Sequence, residues 1–427
     1  MTVATGGKIV IAAALDTKGD EAAFMRGILR ECGHDTLLID IGVLGDPTVQ
    51  PDFSSEDVLL KGGSSRRRLL HEGDRAHVVD ALVAGIEVLA LELYEQGALS
   101  GVIAVGGSGG TTIGTAAMRT LPLGIPKVMV STIASSDVQP YVGMKDICMM
   151  NSVVDFSGVN AISEPILQNA CGAIAGMIDV RNAHKAGLAR ATSSTSQART
   201  AKPLVAASMF GVTTPCIDKT RRLLQEQGFE LVPFHATGIG GKTMESLIEE
   251  GFFDAVLDVT TTEWADEVVG GTLTAGPMRL EAAARAGLPQ VVAPGALDMV
   301  NFYGTGGLPE KFQGRKIHRH NDNVILMRTT AEECSEIGKR IAEKLNASRG
   351  PVTFMFPRLG VSGLDLKGGM FYDPEANTAL LEAFKKFLLP KVELKIIDAH
   401  INDDVFARAC CQELLTNIAK TTGSLHA

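Results

Sequence analysis

The residues of this 427-residue chain whose types and spacing could carry chemistry are two glycine-rich loops, one lysine and a set of histidines. The first loop is Gly106, Gly107, Ser108, Gly109, Gly110, Thr111 and Thr112, placed after an apolar run and before a helical pattern. Glycines let backbone approach an anion closely, and a helix that starts there aims free N–H groups at it. Ser108, Thr111 and Thr112 add hydroxyl donors. An earlier loop, Leu15-Asp16-Thr17-Lys18-Gly19, also follows a strand, and Lys18 supplies a positive charge beside it. Together they describe a phosphate cradle, in which Asp16 or Thr17 meets Mg²⁺ through oxygen or water. The spacing fits neither GxGxxG nor GxxxxGK[ST], so a tight strand-to-helix turn is the plain alternative.

A second loop, Ala236-Thr237-Gly238-Ile239-Gly240-Gly241-Lys242-Thr243, is one residue short of a P-loop, with Ala where the first glycine belongs. Val256-Leu257-Asp258 imitates the strand that would accompany it. With no catalytic base or arginine finger evident, a second phosphate or carboxylate cradle is the better use of the loop. The same half of the chain holds His235, Glu263, His318, His320 and His400, with Asp298, Asn301, Asp365 and Asn402 nearby in the pattern. His235, Glu263 and His400 follow predicted strands, and His318-x-His320 puts both rings on one side of an extended segment, which suits acid–base work or metal binding. Each histidine alone also fits a satisfied surface or capping role, and Asn402 fits a helix N-cap. No GxSxG elbow supports a serine hydrolase.

These groups need elements to hold them. Apolar runs at 8–15, 36–41, 101–105 and 127–131 predict strands, alternating with helical patterns at 20–32, 77–96, 112–120 and 164–186. A polar tract at 188–201 predicts a linker. Beyond it the alternation restarts, with strands at 204–209, 230–234, 255–259, 290–293, 324–327, 352–356 and 394–398. Helices are predicted at 216–227, 242–250, 278–286, 331–346, 374–388 and 403–420, and Thr214-Pro215 and Asp373 are start signals. The expected fold is α/β: two Rossmann-like, doubly wound parallel-sheet domains, 1–190 and 202–427, facing a shared cleft.

Composition narrows the functional classes. At 45 % hydrophobic and 21 % charged residues, the chain can bury two cores and is not disordered. A formal charge of −9 opposes non-specific nucleic-acid binding, and Arg66, Arg67 and Arg68 fit a solvated loop. Seven cysteines without CxxC spacing indicate a reducing compartment and no zinc site. No apolar stretch has the features of a signal peptide or membrane span, so a cytoplasmic protein is expected.

Several of these segments carry a resemblance. They are residues 15–19, 106–111, Phe234-His235-Ala236-Thr237-Gly238 and Thr260-Thr261-Thr262-Glu263. With them go residues 295–302, Arg315-Lys316-Ile317-His318 and His400-Ile401-Asn402-Asp403. In order and over essentially the whole chain, they resemble the family that unites the ATP-binding N-terminal domain of the tomato mosaic virus resistance protein with uncharacterised bacterial relatives. The resemblance implies the two-domain fold, ATP as ligand and a homodimer. The plant protein, which inhibits viral replication by binding the viral replication protein, carries a further C-terminal barrel. This chain is expected to be like the stand-alone bacterial members instead. No reaction comes with the resemblance. An ATP-binding protein is therefore expected. Two alternatives stand beside it: a metabolic enzyme acting on a small phosphorylated or carboxylated substrate through the C-terminal His/Glu group, and an ATP-stabilised regulatory or interaction protein.

Overall fold

A computed structural model describes residues 7–42, 44–68, 75–194, 202–303 and 307–423. The chain divides into two compact units, Met1–Arg199 and Thr200–Ala427.

In the first unit five strands pair in parallel: β1 Lys8–Ala13, β2 Thr36–Asp40, β3 Leu99–Gly106, β4 Lys127–Ser131 and β5 Cys148–Asn151. Their order is β2-β1-β3-β4-β5. The helices are α1 Leu15–Glu31, α2 Ser55–Lys61, α3 Arg75–Glu95, α4 Ser108–Thr120, α5 Gln139–Val142 and α6 Ser163–Ser194. Successive strand residues point to opposite faces, and both faces are covered. Val10, Ala12, Val102 and Ala104 pack under α2, α3 and α4. Ile9, Ile11, Ala13, Ile103 and Val105 pack under α1 and α6. That burial on both sides is why the strands are continuously apolar in sequence. Because β1 lies between β2 and β3, the crevice for a ligand falls at the carboxyl ends of β1 and β3.

In the second unit, β6 Leu204–Met209, β7 Glu230–His235, β8 Ala255–Thr260 and β9 Gln290–Gly295 begin a parallel sheet. Three strands then form a separate antiparallel sheet: β10 Met299–Tyr303, β11 Ile317–Asn321 and β12 Val324–Arg328. β13 Val352–Pro357 and β14 Glu393–Ile397 complete the parallel sheet, whose order is β14-β13-β9-β8-β6-β7. The helices are α7 Thr214–Glu226, α8 Ile239–Glu249, α9 Glu263–Val269, α10 Ala282–Ala286, α11 Ala331–Asn346, α12 Pro374–Phe387 and α13 Asp404–Gly423.

Four local expectations change. The strand expected at 324–327 is not part of the doubly wound sheet. Only Asp322 and Asn323 separate β11 from β12, and a two-residue link permits antiparallel pairing alone. The helix expected at 278–286 shrinks to α10, since Leu280 takes a left-handed φ of 74° that interrupts it. α6 runs on to Ser194 through the first part of the expected linker, and residues 195–201 lie outside the described residues. Asn402 does not cap α13; its side-chain amide donates to Val212 O at 2.9 Å. Cys410 and Cys411 are buried as core groups, and burial pushes both thiols up. Among the described residues no helix is long and apolar enough to cross a membrane.

Candidate functional site

The first glycine loop turns from β3 into α4. A Cβ at Gly106 would fall 2.7 Å from Gly110 Cα, so Gly106 is fixed by the turn itself. α4 then starts at Ser108. Its N-cap, Gly107, offers no side-chain hydrogen bond, and no acid stands in the first turn. The helix's positive end therefore has neither a side-chain cap nor an acid in its own first turn. Thr111 and Thr112, expected as phosphate donors, serve the helix instead. Thr111 is buried, donates to Gly107 O at 2.8 Å and meets Ser131 Oγ at 2.6 Å. Thr112 Oγ1 donates to Ser108 O at 2.9 Å.

Gly107, Ser108, Gly109 and Gly110 line a cavity of about 380 Å³. Asp16, Thr17 and Lys18 line it from α1, so the structure brings these two predicted loops together. α1 begins at Leu15, five residues earlier than expected, and is broken at Lys18 (φ −131°, ψ 26°). Its N-terminus, unlike that of α4, is already answered by carboxylates. Asp40, at the end of β2, accepts from Leu15 N at 3.0 Å and from Gly42 N at 2.8 Å. Burial raises the Asp40 pKa while those amides pull it back. Asp16 Oδ2 accepts from Leu44 N at 2.8 Å and Gly45 N at 3.1 Å, which ties the loop after β2 to α1. Asp16 is thus a loop anchor first, with Oδ2 accepting from two amides. Lys18 Nζ lies 3.5 Å from Thr17 Oγ1, and among the described residues it forms no ion pair. Among the described residues that line the cavity it is the one cation.

Sequence reasoning missed the other wall of the cavity. Ile41, Gly42 and Leu44 after β2, Val78, Val79 and Leu82 on α3, and Ile113 on α4 make it apolar. The only hint was the helical apolar pattern at 77–96, which looked like ordinary core.

The second glycine loop has been put to a different use. Gly238 sits at φ 84°, and a Cβ at Gly240 would meet His235 O at 1.8 Å. Where a phosphate would lie, Glu263 inserts its carboxylate: Gly238 N donates to Oε1 at 2.7 Å and Gly241 N at 3.0 Å. Arg279 Nε holds Glu263 Oε2 at 2.8 Å, while its other nitrogens hold Asp258 (Nη2–Oδ1, 2.8 Å) and Glu245 (3.1 Å). Ser208 Oγ also donates to Asp258, at 2.6 Å. One guanidinium thus serves two buried carboxylates, Asp258 and Glu263, and the half-buried Glu245. Burial raises the pKa of Glu245 and of Glu263, and Arg279 is the main opposing influence on both. For Arg279 itself, burial pulls downward and Asp258 and Glu263 outweigh it, so it stays cationic. The P-loop reading fails for this reason, and Glu263, expected as a catalytic group, is a buried structural anion.

The histidines lie on three separate segments of the second unit. His235 ends β7 and stacks on Phe210 with centroids 5.3 Å apart; burial lowers its pKa. His400 follows β14. Those strands are the two edges of a six-stranded sheet, but the turn that carries His400 folds back over the sheet, and Asn402 Nδ2 meets Val212 O in the loop that also carries Phe210. His400 Nδ1 accepts from Asn402 N at 3.2 Å, which leaves Nε2–H to donate to Ser362 O at 2.8 Å. His318 belongs to β11 in the antiparallel sheet, with His320 on the same strand; the His320 side chain lies outside the described residues. Asp298 and Asp266 are buried, and burial pushes each up to about 7. Among the described residues no three His, Cys, Asp or Glu side chains are grouped to hold a metal ion.

A larger cavity, about 770 Å³, lies beside buried Trp264 on α9. Its charges largely cancel, since Lys344 and Arg285 pair with Glu281, and Arg340 with Glu336. Of these two cavities, among the described residues, the smaller joins an uncapped helix N-terminus to a lysine without an ion pair.

Comparison with known proteins gives a consistent result. The model of the Uncharacterised protein family (UPF0261) N-terminal domain matches residues 7–183, and that of its C-terminal domain matches residues 202–418. A UPF0261 protein of Clostridium tetani (strain Massachusetts / E88) is 45% identical over 414 residues, covering 97% of this chain and 99% of that protein. A UPF0261 protein of Rhizobium meliloti (strain 1021) is 43% identical over 404 residues, 94% of this chain and 97% of the relative. The ToMV resistance protein Tm-1(GCR237) of Solanum lycopersicum is 42% identical over 345 residues, 79% of this chain but 45% of the tomato protein.

Proposed function

This chain belongs to the UPF0261 family, and from that premise we propose that it is an ATP-binding protein whose first unit holds the triphosphate at the start of α4. The observation that carries this reading is the uncapped, acid-free N-terminus of α4, opening on the same cavity as Lys18. The amides around Gly107, Ser108, Gly109 and Gly110 point at phosphate oxygens, and the helix dipole favours their charge. Lys18 adds a point charge on a flexible stem that follows the phosphates. A Cβ at Gly109 would meet nothing within 4 Å in the protein, so a side chain placed there intrudes on the cavity and not on the fold.

Magnesium accompanies the nucleotide in this reading. It keeps several waters and takes most of its ligands from phosphate oxygens, while Asp16, already accepting two amides, contributes through water. ATP therefore binds with only modest dependence on Mg²⁺.

The enzymatic alternative based on His235, His318, His320, His400 and Glu263 is weakened at Glu263, whose carboxylate is committed to Arg279 and to the amides of Gly238 and Gly241. A homodimer and a cytoplasmic setting belong to the proposal, to be checked by sedimentation and by cell fractionation. The resistance named for the tomato relative is a property of a protein about twice as long as the matched segment, and it is not extended to this chain.

Calorimetric titration with ATP, with and without Mg²⁺, tests the reading. Saturable binding by the wild type and none by folded Gly109→Val is the expected pair of results. Equal binding by both proteins would move the site elsewhere.

A further inference from the structure

The phosphate end of the cavity is only half of it. Ile41, Leu44, Val78, Val79, Leu82 and Ile113 form a continuous apolar wall beside the cradle. Leu82, Ile113 and Ile41 are buried and make its floor, Val78 and Val79 are half-buried, and Leu44 stands at the rim with 71% of its surface exposed. An exposed leucine in a loop would usually be free to move. Here its own amide and that of Gly45 are fastened to Asp16 Oδ2, and Arg66 Nη2 donates to Gly45 O at 2.8 Å. The rim is thus held over the cavity by the same α1 turn that supplies Lys18.

We infer that this wall is the base slot of the nucleotide site, that Leu44 closes it, and that it selects purines by area rather than by hydrogen bonding. This inference rests on the nucleotide reading of the same cavity. The six side chains offer no donor or acceptor to a base edge. The amides nearest the rim are already spent: Gly42 N on Asp40, Leu44 N and Gly45 N on Asp16. With no side chain of the wall to read a base edge, adenine and guanine gain nearly the same from burial, whereas a pyrimidine presents less surface to the slot. Asp16 acts here as a positioning residue, since it sets Leu44 without touching the base.

Calorimetry with ATP, GTP, CTP and inorganic tripolyphosphate, on wild type and Leu44→Ala, tests this. Leu44 is largely exposed, so the truncation leaves the fold intact. ATP and GTP are expected to bind within about fivefold of each other, and CTP more weakly. Leu44→Ala should weaken ATP about tenfold and leave tripolyphosphate unchanged. A preference for ATP over GTP above about 30-fold would overturn selection by area. Tripolyphosphate binding as tightly as ATP, or weakening equally in Leu44→Ala, would remove the base slot while keeping the phosphate cradle. Failure of both ATP and tripolyphosphate to bind the wild type would bring down the nucleotide reading and the slot with it.

Discussion

Two strand-to-helix turns of this chain, 105–112 in the first unit and 235–243 in the second, have similar composition and opposite electrostatic fates. Both are glycine-rich and both open a helix. In the second, the Glu263 carboxylate lies on the amides of Gly238 and Gly241, with Arg279 behind it. In the first, no acid occupies the first turn of α4, and the nearest carboxylates, Asp16 and Asp40, are committed to other amides. Composition alone makes a turn of this kind able to bind an anion. Whether it binds a ligand depends on whether the protein supplies the anion itself.

The comparison breaks most visibly at Arg279. Arg279→Met leaves the buried Asp258 and Glu263 and the half-buried Glu245 without their cation and should cost the second unit about 3–5 kcal/mol, read as loss of its transition in calorimetric unfolding. A stability change below about 1 kcal/mol would mean that Glu263 does not depend on Arg279.

Paired glycine substitutions come next. Gly109→Val should lower ATP affinity more than about 100-fold, because β-branched bulk takes the phosphate's place, while thermal stability stays close to wild type. Gly241→Ala should do the reverse. Its Cβ would fall 2.1 Å from Glu263 Oε2, so the second unit loses roughly 1–3 kcal/mol and ATP affinity is unchanged. Swapped outcomes would mean that the nucleotide uses the second loop.

Lys18→Met should weaken ATP about ten- to a hundredfold and flatten the dependence of affinity on salt. Unchanged affinity would leave the helix terminus as the sole attraction.

The smallest effect is one of pH. Burial holds Asp266 and Asp298 near 7 in the folded second unit, above their ordinary value of 3.8. Between these values the folded state keeps protons that the unfolded chain has released. The stabilisation from the two groups is therefore complete below about 3.8 and is lost as pH rises through about 7. The second unit's melting temperature should fall by several degrees from pH 6 to pH 8, and less in Asp298→Asn. A rise over that interval would show that both carboxylates are ionised well below 7.

Much of this was legible in the sequence. β4, β6 and α11 match their predicted bounds, since buried parallel strands and an amphipathic helix with a Thr330 cap have strong local signals. The pairing of residues 16–18 with 107–110 follows from both loops lying at carboxyl ends of strands. What stayed hidden depends on contacts distant in sequence. Nothing local distinguishes Glu263, which fills a loop 22 residues away, from a catalytic acid. Nor can Leu44 and Val78 be seen to share a cavity until β2 and α3 are in place.

Trp264 is the single tryptophan of the chain, and it is buried in α9 of the second unit with Lys344 Nζ 5.7 Å from its ring centre. Intrinsic emission excited at the red edge therefore reports that unit alone. Filling the cavity beside α4 is optically silent in itself. If adding ATP changes the tryptophan spectrum or its quenching, the signal measures communication from one unit to the other, and its amplitude can be followed independently of occupancy.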